Sequence, residues 1–322
     1  MLNGAVQGAP VRIAIAGPGA MGCLLAVRLA EAGHAVTLLD RNPARASRLA
    51  GTGLELHGKD RSRRAVLPVS ADPDSVPGCD FFCLCVKAFD TEAALRYWRS
   101  AIQRCACVVS FQNGLGNAEA CAEYAGAERV LCAVTACGAT QLAEGVVREA
   151  GWGATVIAPW QAKAGARAES FALAMRTAGF EALVHRNAAT VLWSKLVVNA
   201  AVNPVTALWN VSNGVLLDRP DLHRLAAGAA RETQAVADAA GVRLLFADAV
   251  GEMERVCRLT ADNISSMLQD VRAGRRTEIN AISGAVVEEA RRRGVPAPVS
   301  LDLLQRVQSL APAPAQPVSP PA

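Results

Sequence analysis

The chain has 322 residues, of which 52% are hydrophobic and 19% charged, and its formal net charge is +4. This length fits about two domains with sizeable apolar interiors, and the small net charge without a lysine and arginine stripe argues against a nucleic-acid partner. The first ten residues lack the regions of a signal peptide, and no apolar run approaches the roughly 18 residues of a membrane helix, so a cytoplasmic protein without membrane contact is expected.

The first part of the chain alternates between strand and helix patterns. Residues 11–16 form a short apolar run that predicts a strand. A glycine-rich turn and a segment with apolar residues at helical spacing follow, and residues 35–40 form a second strand. This order is a βαβ unit. A small β excursion over 54–70 comes next, and then further elements: strands at 79–87, 107–111 and 130–135, and helices at 90–102 and 117–125. The alternation predicts a parallel sheet covered by helices.

The pattern changes after residue 140. Residues 145–159 predict a hairpin at an antiparallel edge, and a helix at 171–179 and a strand at 181–185 complete the first domain. Beyond residue 187 only helical periodicity is found, over the segments 188–202, 221–240, 245–258, 278–293 and 299–310.

The predicted fold class is therefore α/β, with a Rossmann-type doubly wound sheet domain followed by an all-α C-terminal domain. The predicted organisation is a flexible N-terminus at 1–10, the sheet domain at 11–187, the helical domain at 188–310 and a disordered Pro/Ala-rich tail at 311–322.

The ten cysteines do not show the spacing of a metal or disulfide framework. They include two C-x-C pairs, Cys83 with Cys85 and Cys105 with Cys107, but no C-x-x-C, and the four histidines are scattered singly. Most of the cysteines lie in apolar runs. We therefore expect buried, reduced thiols and no metal site.

A glycine-rich turn links the first strand to the first helix. It has the Gly-x-Gly-x-x-Gly pattern and consists of Gly17, Pro18, Gly19, Ala20, Met21 and Gly22. The first glycine permits the tight turn, the second lets the backbone approach a pyrophosphate, and the third lets helix and strand pack closely. The alternative is a merely tight turn, but the βαβ context favours a nicotinamide dinucleotide site.

The end of the second strand gives contradictory signals on the cofactor. Asp40 lies 18 residues after Gly22, where an acid binds the ribose hydroxyls of NAD. Arg41 follows, and it is suited to the 2′-phosphate of NADP. Either residue can also be a solvated charge at a strand end.

A polar stripe lies on the strongly apolar segment 191–210. Lys195, Asn199 and Asn203 follow each other at intervals of four residues, within an arc of roughly 80° on one helix face. Pro204 predicts a break or kink directly after the stripe. An exposed stripe, interhelical hydrogen bonds or an ion pair to a core carboxylate would also explain the pattern. The functional interpretation is a lysine that protonates a developing alkoxide, with amides that hold an oxyanionic substrate.

With these segments, the sequence resembles the ketopantoate reductases (2-dehydropantoate 2-reductases) over about residues 11–310. The specific stretches are LWSKLVVNAAVNPVTALWN, ADNISSMLQDVRAGRRTEIN, and CVKAFD followed by QNGLG. The resemblance implies reduction of 2-dehydropantoate to (R)-pantoate with NADPH, a step toward pantothenate and coenzyme A. NAD(H) stays open because of Asp40.

The resemblance also implies roles for individual residues. Lys195 is the implied general acid, and Glu278 lies near it and the nicotinamide ribose. Substrate contacts are implied for Asn199, Asn203, Asn213, Asn263 and Ser266. Cofactor contacts are implied for Lys87, Asn113 and the backbone of Ala139, and Arg41 corresponds to the residue that binds the 2′-phosphate.

Several of these residues have structural explanations. Ser266 and Gln269 fit a helix capping box, Glu278 suits a first helical turn, and Asn113 with Gly114 is a common turn pair. Two other functions also stay open: a paralogous reductase of another 2-oxo or 3-hydroxy acid, and a non-catalytic dinucleotide-binding regulator. The expected partner is a small 2-oxoacid, and a homodimer is neither required nor excluded.

Overall fold

The structure is a computed structural model that describes residues 9–310. The predicted disordered tail and most of the predicted flexible N-terminus therefore lie outside the described residues. The described chain forms two compact units. Unit 1 contains the residues up to Gln112 together with Gly116–Val191, and unit 2 contains Asn113–Leu115 and the residues from Leu192 on.

Twelve strands are found among the described residues, all of them in unit 1. In chain order they are β1 (Arg12–Ala16), β2 (Ala35–Leu39), β3 (Leu54–His57), β4 (Ser62–Ala65), β5 (Val69–Ser70), β6 (Phe81–Leu84), β7 (Cys107–Ser110), β8 (Val130–Thr135), β9 (Gly138–Ala143), β10 (Val146–Gly151), β11 (Thr155–Pro159) and β12 (Ala182–Val184).

Eight of the strands form the main sheet, in the order β12-β11-β8-β7-β6-β1-β2-β5. Every neighbouring pair is parallel except β11 with β8. Both faces are buried: Ile13 and Ile15 of β1 enter one apolar cluster, while Ala14 and Ala16 enter the other. Because side chains alternate across a strand, a continuous apolar run is what a two-sided sheet requires.

A second sheet has the order β4-β3-β10-β9. It confirms the β excursion after residue 54, but it shows that the hairpin predicted over 145–159 is wrong. β10 pairs with β3 and β9, whereas β11 pairs antiparallel with β8 in the main sheet. The segment reads as a hairpin because two apolar strands flank a Gly-Trp-Gly turn, yet their partners lie elsewhere in the sequence.

The helices of unit 1 cover both faces of the main sheet. They are α1 (Ala20–Glu31), α2 (Pro43–Thr52), α3 (Thr91–Tyr97), α4 (Arg99–Gln103), α5 (Asn117–Ala125) and α6 (Gly165–Thr177). α1 and α6 contribute Leu24 and Phe171 to the apolar cluster on one face of the sheet. α3, α4 and α5 pack in the cluster on the other face, which includes Leu95 of α3 and Trp98 between α3 and α4. The Rossmann-type prediction is thus confirmed.

The later helices are α7 (Ala188–Trp209), α8 (Val215–Asp218), α9 (Pro220–Ala239), α10 (Ala249–Leu259), α11 (Ser266–Arg272), α12 (Ala285–Arg293) and α13 (Pro298–Gln308). A π-helical turn at Asn280–Gly284 leads into α12. No strand occurs among the described residues of unit 2, which confirms the all-α prediction for the C-terminal domain.

α7 is a single helix, so the chain has no helix break at Pro204; the alternative, a kink at this residue, stays a prediction. The proline is buried within the helix, and one turn is reinforced by Thr206, whose Oγ1 donates to the carbonyls of Val202 at 2.9 Å and Asn203 at 3.1 Å. α7 is also the one helix in the described range that is long and apolar enough to cross a membrane, contrary to the expectation that no apolar segment approaches that length. Its most apolar window is 83% buried inside the protein.

One disulfide contradicts the expectation of reduced thiols throughout. Cys79 and Cys105 are bonded, with Cα atoms 4.5 Å apart. They precede β6 and β7, whose parallel register sets Phe81 beside Cys107 and therefore Cys79 beside Cys105. The partnership follows from strand pairing and not from sequence spacing. The other eight cysteines are free, as expected. Among them Cys23 is buried, and this burial raises the pKa of its thiol to about 12.

Candidate active site

The glycine-rich turn of unit 1 is shaped by two steric requirements. Gly17 has a φ of +106°, and a Cβ on it would lie 2.9 Å from backbone atoms of Cys85 and Val86. A Cβ on Gly22 would lie 2.0 Å from the carbonyl oxygen of Gly17. Only glycine satisfies these contacts. Both glycines therefore serve the packing of the chain on itself.

Gly19 is different, because a Cβ there would meet nothing within 4 Å. The open space lies where α1 begins, and α1 has neither a side-chain cap nor an acidic residue in its first turn. The first N–H groups of this helix are therefore oriented for an anion, and the helix dipole favours one. Of the neighbouring turn residues, Pro18 is buried and Ala20 and Met21 are half-buried. The cradle fits the pyrophosphate of a dinucleotide.

The two charged residues at the end of β2 have different surroundings. Asp40 is 3% exposed; it accepts hydrogen bonds from the backbone N–H of Asn42 at 3.0 Å and from the guanidinium of Arg45. Arg41 is exposed and pairs with Asp90 at 3.2 Å. Sequence reasoning missed Arg45, although an arginine five residues after an acid was a visible signal.

A buried polar network supports the segment after β6, which contains Lys87. Gln112 Nε2 donates to the carbonyl of Val86 at 3.1 Å and to Thr91 Oγ1 at 2.6 Å. Thr91 Oγ1 in turn lies 2.8 Å from Asn117 Oδ1 and 2.8 Å from the carbonyl of Ala88. Sequence reasoning did not select these residues. Polar side chains directly after buried strands were the available signal.

Lys87 is half-buried at the start of the short 3₁₀ turn Ala88–Asp90. Ala139 lies in β9, opposite Glu149 of β10, and is partly buried against the core that includes α1. Both positions belong to unit 1, as does the glycine turn.

In unit 2, the polar stripe of α7 is buried on an apolar helix. Asn199 and Asn203 are each 7% exposed, and Lys195 is half-buried one turn before Asn199. The helix is continuous across all three residues, so the predicted common face is confirmed by the observed helix geometry. This burial disfavours an ordinary solvated stripe.

Three of the predicted site residues are joined by hydrogen bonds. Asn199 Nδ2 donates to Asn113 Oδ1 at 3.2 Å, and Asn113 Nδ2 donates to Glu278 Oε2 at 3.3 Å. Glu278 is 7% exposed. The two hydrogen bonds join residues that are separated by 86 and by 165 positions in the sequence. The resulting polar chain includes Asn199, which lies one turn after Lys195 on α7.

The loop that carries Asn113 packs tightly on the π-helical turn. The N–H of Leu115 donates to the carbonyl of Ala281 at 3.1 Å. Gly114 has a φ of +85°, and a Cβ on it would lie 2.1 Å from that same carbonyl oxygen. π-Helical turns are rare and frequent at functional sites. Here the turn begins two residues after Glu278.

Asn213 and Asn263 form a separate group within unit 2. The N–H of Asn213 donates to the carbonyl of Asn263 at 3.1 Å, and its Nδ2 donates to Thr260 Oγ1 at 2.9 Å. Asn213 is 8% exposed, and its Oδ1 is buried without a hydrogen-bond partner in the described part of the chain. An orphaned buried acceptor is costly unless something satisfies it, which marks this amide as a candidate ligand contact.

Ser266 is exposed and does not cap α11, so the capping box predicted for Ser266 and Gln269 is wrong. The cap is Ser265, which accepts from the N–H of Leu268 at 3.2 Å. It is also tied to α7, since Ser265 Oγ lies 2.7 Å from Thr206 Oγ1, within hydrogen-bond distance. Two adjacent serines made the assignment ambiguous by one residue.

The chain matches the family model Ketopantoate reductase PanE/ApbA over residues 13–162 and the model Ketopantoate reductase PanE/ApbA C terminal over residues 187–311. A curated 2-dehydropantoate 2-reductase of Halobacterium salinarum is 38% identical, and the match covers 92% of this chain and 98% of that protein. The corresponding protein of Archaeoglobus fulgidus is 34% identical, with 93% and 97% covered.

Solved structures agree with these relatives. A PanE/ApbA family ketopantoate reductase from Ralstonia eutropha JMP134 is 30% identical, with a TM-score of 0.83 and with 93% of this chain and 98% of that chain covered. D-mandelate dehydrogenase, solved with NADH and anilino(oxo)acetate, has a TM-score of 0.87 at 24% identity, with 93% and 98% covered. The second likeness is one of fold alone.

Proposed function

This chain belongs to the ketopantoate reductase family, and we propose that it reduces 2-dehydropantoate to (R)-pantoate with NADPH and with Lys195 as the general acid. The observation that carries the proposal is the buried chain of hydrogen bonds from Asn199 through Asn113 to Glu278. Lys195 lies one turn before Asn199 on α7. A cation, two amides and a carboxylate suit the binding and protonation of a 2-oxoacid.

A reduced nicotinamide dinucleotide, when bound, would supply the hydride that C2 of the substrate gains as its carbon–oxygen double bond becomes a single bond. The oxygen then needs a proton, and the Lys195 ammonium donates it, so that the products are a secondary alcohol and the oxidised dinucleotide. Glu278 accepts from Asn113 and thereby orients that amide. Asn213 Oδ1, which is buried without a partner among the described residues, can accept a hydrogen bond that the substrate hydroxyl donates. Asn203, Asn263 and Ser266 remain proposed substrate contacts.

The surroundings of Asp40 support NADPH over NADH. The Asp40 carboxylate is buried and already accepts hydrogen bonds from Arg45 and Asn42, while Arg41 is exposed. A carboxylate in this state does not offer a free acceptor to the ribose hydroxyls of NAD. Lys87, Ala139 and the glycine turn are the other proposed cofactor contacts, and the cytoplasm is the proposed compartment.

The test is a spectrophotometric assay of NADPH and NADH oxidation with 2-dehydropantoate and a panel of other 2-oxoacids. We expect turnover of 2-dehydropantoate with NADPH. Faster turnover of another acid would support the paralogous reductase instead, and no turnover with any acid would support a dinucleotide-binding regulator. Replacement of Arg41 by Ala should raise KM for NADPH far more than for NADH.

The role of Lys195 is tested by two variants. Lys195→Ala should lower kcat on the order of 10²–10⁴-fold. Lys195→Arg keeps the charge, but the pKa of a guanidinium lies well above that of an ammonium, which makes it a poor proton donor, so this variant should also be slow. Lys163→Ala, at an exposed position in unit 1, is the matched control. Full activity of Lys195→Arg would assign the lysine an electrostatic role only.

A further inference from the structure

The carboxylate of Asp40 is held in a closed set of contacts. Its side chain is 2% exposed. Arg45 donates to both of its oxygens, through Nε and Nη2, and the N–H of Asn42 donates to Oδ1 at 3.0 Å. A ribose hydroxyl would have to displace Arg45 to reach this acid. Asp40 therefore does not have the free acceptor that the NAD interpretation of this position requires.

Arg45 itself is fixed in position but accessible. Its backbone N–H donates to Asn42 Oδ1 at 3.1 Å, which caps the first turn of α2. Its side chain is 42% exposed although Asp40 holds one edge of it. The two bonds to Asp40 use Nε and Nη2, and Nη1 makes no hydrogen bond within residues 9–310. A pre-oriented guanidinium with a free edge is suited to a phosphate group.

Arg41 provides a second cation next to the same carboxylate. It pairs with Asp90 at 3.2 Å, and the two side chains are 38% and 40% exposed. Exposed pairs of this kind contribute little to stability, so a doubly charged phosphate can take Asp90's place. Two arginines thus flank the end of β2: Arg41 in an exposed ion pair and Arg45 held by Asp40.

We propose that Arg45 is a second determinant of cofactor specificity, which donates to the 2′-phosphate of the dinucleotide, and that Asp40 is a positioning residue that holds Arg45. This inference rests on the proposed use of NADPH. It changes the meaning of the acid at the end of β2: together with Arg45, Asp40 favours the phosphorylated cofactor.

The test is isothermal titration calorimetry of the full chain with NADP⁺ and NAD⁺, and with the fragments 2′,5′-ADP and 5′-AMP. We expect the unmodified protein to bind NADP⁺ more tightly. Arg45→Ala should weaken NADP⁺ on the order of 10- to 100-fold, since it removes a charge-assisted hydrogen bond and leaves the Asp40 carboxylate without its cation. The Kd for NAD⁺ should stay within about threefold or decrease, since Asp40 is freed.

A double variant separates direct contact from simple neutralisation. If Arg45 only cancels the charge of Asp40, then Asp40→Asn combined with Arg45→Ala binds NADP⁺ as the unmodified protein does, and the proposal is wrong. If Arg45 touches the phosphate, the double variant stays weak for NADP⁺ and 2′,5′-ADP. Arg45→Lys, which keeps the charge without the two-pronged bond to Asp40, should show an intermediate loss and serves if Arg45→Ala does not fold.

Arg48→Ala is the matched control, because Arg48 lies on the same helix, is 57% exposed and pairs with Glu144 at 2.8 Å. It should change the ratio of the two Kd values by less than about threefold. An unchanged ratio in Arg45→Ala would overturn the inference while leaving the use of NADPH intact. Equal binding of NADP⁺ and NAD⁺ by the unmodified protein would instead overturn both.

Discussion

Replacement of Gly114 by Ala should damage the candidate active site without touching any of its polar side chains. The new Cβ would lie 2.1 Å from the carbonyl oxygen of Ala281 and 2.6 Å from its carbonyl carbon. Contacts below 3.0 Å do not persist, so the loop must move away by about 1 Å. The hydrogen bond from Leu115 to Ala281 at 3.1 Å and the one from Asn113 to Glu278 at 3.3 Å would then both be lost.

The size of the effect has three parts. An alanine with positive φ costs about 1–2 kcal/mol, and loss of the Leu115 hydrogen bond costs about 0.5–1.5 kcal/mol. The free energy of unfolding should therefore fall by about 1.5–3.5 kcal/mol. A displacement of about 1 Å at a positioning residue lowers the catalytic rate on the order of 10²-fold, and we expect that loss in kcat for reduction of 2-dehydropantoate.

Gly116→Ala is the control, because Gly116 has nearly the same backbone conformation, with a φ of +89°, and a Cβ there meets nothing within 4 Å. It should show the conformational cost alone and a rate within about threefold of the unmodified protein. Both variants are measured by thermal unfolding and by steady-state kinetics. Equal losses of activity in the two variants would refute the argument that the contact between the loop and the π-helical turn positions Asn113.

Three further predictions follow from single contacts. Asp90→Asn should lower KM for NADPH by about two- to threefold and leave KM for NADH unchanged, because Arg41 loses an exposed competitor. Removal of the Cys79–Cys105 bond by a double Ala substitution should cost about 3.5 kcal/mol for its separation of 26 residues, and the melting temperature should no longer respond to dithiothreitol. Burial lowers the pKa of His34, so stability should fall as the pH drops below about 6.5; in urea titrations at pH 7.5 and 5.5, His34→Gln should flatten that fall.

The fold was predictable where the signal is local. The strand, glycine turn and helix around Gly19 need only neighbouring residues, and the common face of Lys195 and Asn199 needs only helix periodicity. The prediction of a hairpin failed at residues 145–159 because strand pairing depends on distant partners. The disulfide of Cys79 and Cys105 was missed for the same reason, since parallel register brings the two residues together.

The candidate site shows the same division. The residue types at Asn113 and Glu278 were recognisable through the family resemblance, but their contact spans 165 residues and depends on how a loop packs on the π-helical turn. The orphaned acceptor of Asn213 is likewise visible only once burial is known. Sequence patterns identify which groups are present, whereas the hydrogen-bond partners of each group decide what it can still bind.

The end of β2 is where this distinction has the greatest chemical consequence. An acid at that position favours NAD when its oxygens are free, because two ribose hydroxyls can donate to them. Here the start of α2 brings Arg45 back onto Asp40, and the carboxylate accepts three hydrogen bonds and is buried. The pair then presents the edge of a guanidinium where an isolated acid would present a negative charge. We therefore expect the acid and the arginine five positions later to set the cofactor preference together, which the Arg45→Ala and double-variant titrations test.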